Sequence, residues 1–307
     1  MTLEETVLKH IQISLLGHPW LMENTLLERQ GVPDIVIGIV ERLCNIIDEK
    51  RQQGKFHFTI TKSDFNGVET FFDECSIKVN WMATEKPRKS DGGYYSKLTK
   101  FDNATKKIKN ANFIFVLRFT KYDSAKRLTP LFYHEFTHAY EDYRRMLGTA
   151  KTLYQQSTDT KYYLNQQNRV GGILSCCKKV IYFLNPSERH AFMSMIRGEL
   201  EQINPNSASE AMEYLKNSRL WKMVEQVENN ITEIMNVEDE GTQNAVVRYF
   251  QDNGYPSVKN FRQLKKSLER YWFNFKEKAG KVAGKQIYWQ LEDLKNGMTD
   301  FSADSGY

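Results

Sequence analysis

His134-Glu135-Phe136-Thr137-His138 sets two imidazoles four residues apart, with a carboxylate next to the first. On an α-helix residues i and i+4 share a face, so both rings can grip one metal ion while Glu135 reaches a water bound to it. Two neutral imidazoles suit a borderline cation such as Zn2+, and the carboxylate would then serve as the general base of a hydrolysis. The rival reading is a buried helix whose histidines only hydrogen-bond to their neighbours.

The flanking residues decide whether a helix is there to carry them. Thr129-Pro130 reads as an N-cap followed by proline at the first helical position. Leu131, Phe132, Phe136, Ala139, Tyr140 and Tyr143 continue at helical spacing, with no internal breaker before Gly148. Tyr133, Phe136, Thr137, Ala139 and Tyr140 are uncharged, as expected of a buried helix that is polar only along its ligand edge.

On this helix the chain resembles the zincin group of metallopeptidases, which share the HExxH run. The resemblance rests on the helix and extends to the preceding strands and one later helix, well under half the chain. It implies a small twisted mixed sheet over the helix and a third ligand from farther along. The glycine and third histidine of the metzincin pattern would fall at positions held by Glu141 and Arg144, which excludes that subgroup.

The third-ligand candidate is Glu188, in Asn185-Pro186-Ser187-Glu188-Arg189-His190-Ala191-Phe192, which is similar to the later helix of zincins that use a glutamate. A metal set of His134, His138 and Glu188 would leave a fourth position to water. Asn185 and Glu188 around Pro186 also make a capping-box pattern, so Glu188 has a second reading as a helix cap. Glu141 would orient His138 or pair with Arg145, and Asp142 would back up His138 from the next turn. His190 lies too far round its helix from Glu188 to share its ion, and His10, His18 and His57 are assigned no ligand role.

The resemblance implies a Zn2+-dependent peptidase. Its metal would acidify a bound water, and Glu135 would take the proton and pass it to the leaving amine of a peptide or protein substrate. Tyr162, Tyr163 and Tyr182 are candidates for oxyanion stabilisation and are not ranked.

Composition fits a protein of enzyme size. The 307 residues suffice for one large domain or two small ones, and 40% hydrophobic with 26% charged residues suggests neither a disordered chain nor a membrane protein. A net charge of +5 is mild and does not argue for nucleic acid. Cys44, Cys75, Cys176 and Cys177 form no CxxC pair and no disulfide framework, which suits a reducing compartment. Met1 to Glu5 shows no signal-peptide start, and no run reaches transmembrane length. The expected location is therefore cytoplasmic, or a virion if the gene belongs to a phage.

The period of the pattern divides the chain in three and predicts an α+β, predominantly helical fold. Residues 1–54 read as a helical segment, with Leu3, Val7, Ile11 and Leu15 on one face and a second helix from about Pro33 to Gly54. Residues 55–200 read as the zincin-like core, with strands at Phe56–Ile60, Cys75–Trp81 and Asn112–Phe119. Gly92-Gly93-Tyr94-Tyr95 reads as a surface loop, with a hairpin or an edge strand beside the cleft as alternatives. Residues 150–184 read as a helical excursion. Residues 201–307 read as helical, broken mainly at Pro205, Gly241, Gly254 and Pro256 and loose after Ser302. Basic and aromatic residues alternate from Arg262 to Lys285, which reads as a helix packing on its aromatics with solvated lysines and without a nucleic-acid motif.

A second functional class is a zincin fold used as a structural part. The Lys-, Asn-, Ile- and Tyr-rich composition is similar to that of AT-rich phage genes, and the long helical C-terminal stretch would serve as a homo-oligomer or virion-assembly surface, with the metal stabilising or vestigial.

Overall fold

Helical stripes of apolar residues open the chain. In the computed structural model, which describes residues 2–15, 33–72, 74–82, 92–101, 108–120, 124–146 and 172–303, helix α1 spans Leu3–Leu15 and α2 spans Asp34–Gln52. Valine and isoleucine are only middling helix formers, so α2 owes its stability to what it buries. Val36, Ile39, Val40, Leu43, Ile46 and Ile47 lie on one face and are all buried. Gly54, at φ +70°, ends the helix. Lys55 N–H donates to Lys50 O and Gly54 N–H to Arg51 O, the paired bonds that close a helix on a left-handed residue.

The chain divides into two compact units. One comprises residues 30–152 and 197–202. It contains α2, strands β1 (His57–Thr61), β2 (Glu74–Met82), β3 (Gly92–Phe101) and β4 (Ile108–Thr120), and helix α3 (Thr129–Met146). The sheet order is β1-β2-β4-β3. β2 runs parallel to β4, with Ile77 opposite Phe115, and both edge strands are antiparallel to their neighbours. The sheet is thus mixed, as expected. Cys75, Ile77, Val79 and Trp81 alternate along β2 and are all buried, the period-two signature of a strand with one face in the core. α3 packs against α2, β3 and β4.

Gly92-Gly93-Tyr94-Tyr95 is not a loop but the start of β3, because its backbone pairs with Tyr95 opposite Phe115 and Gly92 opposite Arg118. This is the edge-strand alternative.

The second unit comprises residues 1–29, 153–196 and 203–307. Its described helices are α1, α4 (Ile173–Leu184), most of α5 (Pro186–Leu200), α6 (Ala208–Asn217), α7 (Arg219–Met235), α8 (Glu240–Asp252) and the long α9 (Phe261–Ala303). α1 lies close along α9. A Cβ on Gly280 would come 2.5 Å from Thr6 Cγ2, and one on Gly284 would come 2.8 Å from His10 Cβ. Phe183 and Phe192 stack at 4.2 Å, and Phe275 meets Phe183 edge-on at 4.8 Å.

The basic-aromatic stretch of α9 divides as expected. Trp272 and Phe275 are buried while Arg262, Lys266 and Arg270 are exposed. Phe273, 51% exposed, is the exception. Gly241 breaks nothing. It sits in the first turn of α8, and the chain turns just before it, at Asp239, whose carboxylate accepts from Thr242 N–H at 2.6 Å. A further break comes at Ser218, which caps α7 through Trp221 N–H at 3.1 Å.

The fold is α+β and predominantly helical. Among the described residues no helix is long and apolar enough to cross a membrane. The expected helical excursion lies outside the described residues up to Gly171, and Ile173–Leu184 is helical.

Candidate metal centre

α3 begins differently from the simple cap-and-proline reading. Thr129 already has helical angles, φ −48° and ψ −43°, because the 3-10 turn Lys126–Leu128 leads into the helix. The cap lies further upstream, where Ser124 Oγ accepts from Arg127 N–H at 3.2 Å. The Thr129 hydroxyl instead lies 3.8 Å from Cys44 Sγ on α2. Burial pushes the Cys44 thiol up to about 11 despite that contact. Pro130, lacking an N–H, sits in the first turn, where no intrahelical donor is required.

Phe132, Phe136 and Ala139 form the apolar back of α3, and all are buried. The ligand edge is buried too. His134, Glu135 and His138 are each 8% exposed, and Asp142 on the next turn is also buried.

The two rings point at each other. His134 Nε2 and His138 Nε2 are 3.2 Å apart, with the rings 4.7 Å between centroids and 87° between planes. Two nitrogens bonded to one tetrahedral Zn2+ at about 2.0–2.1 Å stand about 3.3 Å apart, so the pair already has the spacing of co-ligands.

Glu188, 5% exposed, sits in the first turn of α5. One ligand atom from each of His134, His138 and Glu188 lies within 4.8 Å of the others. The three residues named from sequence are therefore brought together and could hold a metal ion. Two imidazoles and one carboxylate, taken out of bulk water together, are a donor set that fits a divalent cation.

The other sequence candidates lie elsewhere or stay in support. Glu141 is half-buried, and the Arg145 side chain lies outside the described residues. His190 is exposed on α5, and His57 is exposed on β1. His10 Nε2 meets Glu277 at 3.3 Å. Tyr182 is half-buried on α4, whereas His18, Tyr162 and Tyr163 lie outside the described residues.

Sequence reasoning overlooked one group. Tyr133 OH donates to Glu201 Oε2 at 2.9 Å, Arg197 Nε donates to Glu201 Oε1, and the Arg197 guanidinium lies 6.0 Å from the Tyr133 ring centre. Burial first, and then the Glu201 carboxylate, push the Tyr133 phenol well above its ordinary value. The signals were present: Arg197 and Glu201 are an i,i+4 pair, and Gly198 is a glycine inside a helix, where it costs stability unless packing needs it.

No protein-family model matches the chain, and neither a curated protein nor a solved structure matches it.

Proposed function

We propose that this protein is a Zn2+-dependent peptidase of the zincin type. The observation that carries the reading is the convergence of both Nε2 atoms, 3.2 Å apart, with a Glu188 oxygen within 4.8 Å of them. When bound, the metal would supply Lewis-acid polarisation of a carbonyl and a water acidified toward neutrality. His134, His138 and Glu188 would hold it. Glu135, next in the chain to His134 and buried with it, would take the water's proton and return it to the leaving amine.

The sheet supports a peptide substrate. β3 is an edge strand beside α3, and an extended chain can pair with an edge through its backbone.

A second reading is favoured by burial. Structural metal sites are closed, and a triad only 5–8% exposed suits an ion that ties the fold together inside a larger assembly. Glu135→Gln separates the two. For a peptidase, metal content stays at the wild-type level while cleavage of a quenched fluorescent peptide library falls at least about a hundredfold. Equal cleavage by the variant removes the role of Glu135, and absence of cleavage by metal-loaded wild type favours the structural ion.

A further inference from the structure

We infer that Arg262, Lys266, Arg270 and Phe273 of α9 form a binding surface for single-stranded nucleic acid. All four belong to the second unit, and the surface stands apart from the metal reading.

The charge of the chain is unevenly spread. Residues 248–285 hold ten Lys and Arg against three Asp and Glu, a net +7, whereas the whole chain carries +5. The positive excess is therefore concentrated on α8, the turn after it and the first half of α9, and the remainder is slightly acidic.

Within that stretch the helix sorts its residues. Leu264, Leu268, Trp272 and Phe275 are buried and line one side of α9. At about 100° per residue, Arg262, Lys266, Arg270 and Phe273 fall within about 80° of one another on the opposite side. All four are exposed. Phe273, at 51%, is the most exposed large apolar side chain among the described residues. It is no edge of the core, because it points away from it.

The three cations are also uncommitted. Among the described residues no carboxylate pairs with Arg262, Lys266 or Arg270. Arg270 lies 5.4 Å from the Tyr271 ring centre. Lys276, by contrast, is engaged by Glu228 at 2.9 Å, and Glu277 is engaged by Lys9 and His10. Glu269 is the one carboxylate bordering the stripe.

Successive cations stand about 6 Å apart along the axis, the step of an extended phosphate backbone, and the stripe runs about 16 Å. Its end carries a flat apolar ring, on which an unpaired base can stack. A duplex keeps its bases inside and would leave the ring unused. An anionic membrane calls for a broad apolar face, and an acidic peptide calls for the cations alone.

The test is fluorescence anisotropy of the full-length protein with labelled thymidine and uridine oligonucleotides of about 20 residues, from about 50 to 200 mM salt. Three phosphate contacts predict a slope of log affinity on log salt near about −2. The triple variant Arg262→Gln, Lys266→Gln, Arg270→Gln should bind at least about tenfold more weakly at the lowest salt and flatten that slope. Phe273→Ala should lose about fivefold or more with the slope kept, and Phe273→Tyr should bind like wild type. Because all four side chains are exposed, circular dichroism should be unchanged throughout.

Binding of either oligonucleotide in this pattern supports the proposal, and the tighter one tells DNA from RNA. No binding at the lowest salt overturns it. So does binding indifferent to Phe273→Ala, because the surface would then be merely cationic. Equally tight binding to phosphatidylserine vesicles or to polyglutamate, lost in the triple variant, also overturns it.

Discussion

His134 Nε2 and His138 Nε2 face each other across 3.2 Å, so each ring offers its outer nitrogen to the same point. Removing either imidazole should therefore abolish binding, not halve it. By elemental analysis after Zn2+ loading and desalting, His134→Ala and His138→Ala are expected to retain no stoichiometric metal. Glu188→Ala should lose occupancy under the same wash. Full occupancy in that variant would leave the carboxylate with only a helix-capping role.

The α1–α9 seam makes a stability prediction. Because a Cβ on Gly284 would meet His10 Cβ at 2.8 Å and backbone atoms at 2.9 Å, Gly284→Ala forces α1 away from α9. Alanine is the better helix former, yet the variant should be less stable by about 1–3 kcal/mol, as overpacked sites are. Urea unfolding measures this, and a stabilised variant would show that α1 does not dock there in solution.

Glu228 links stability to acid. Burial alone would raise its pKa, but hydrogen bonds from Lys276 Nζ and Trp272 Nε1, each 2.9 Å, outweigh burial and hold the carboxyl below its ordinary 4.5. Its folded value is lowered, so its contribution is complete above 4.5 and is lost as pH falls through the lowered value. Glu228→Gln should flatten that acid limb in melting curves taken across the range. An unaltered limb would assign the acid sensitivity elsewhere.

Two cysteines should be silent. Burial pushes the thiols of Cys75 and Cys177 up to about 12, so at pH 8 only about one molecule in ten thousand carries either thiolate. Iodoacetamide at that pH should leave both unmodified in the native protein and label both in urea, as read by peptide mass spectrometry. Rapid native labelling of either would mean that its surroundings open readily.

Local features were legible because they depend on residues near one another in the chain. The α2 stripe, its end at Gly54 and the helix carrying His134 and His138 all follow from spacing alone. The strand at Cys75–Trp81 was legible from alternation and is one residue longer at each end. Partnerships were not legible. Alternation marks β2 and an apolar run marks β4 as strands, but neither pattern says that they lie parallel with β3 outside them. The Gly92-Gly93 pair was misleading for the same reason, since its extended backbone is stabilised by β4 and not by its own preference. Glu188 could be singled out only through a resemblance, and the Tyr133–Glu201 bond, spanning 68 positions, left no local trace.

The close approach at Gly198 bears on how this sequence can drift. A Cβ there would stand 2.7 Å from Pro130 Cα, so nothing larger than hydrogen fits unless a backbone moves. Neighbouring letters on the solvent side can change freely, whereas this one is held by the space around it. Any viable relative of this protein should keep glycine at that point or open the approach by changing what stands opposite.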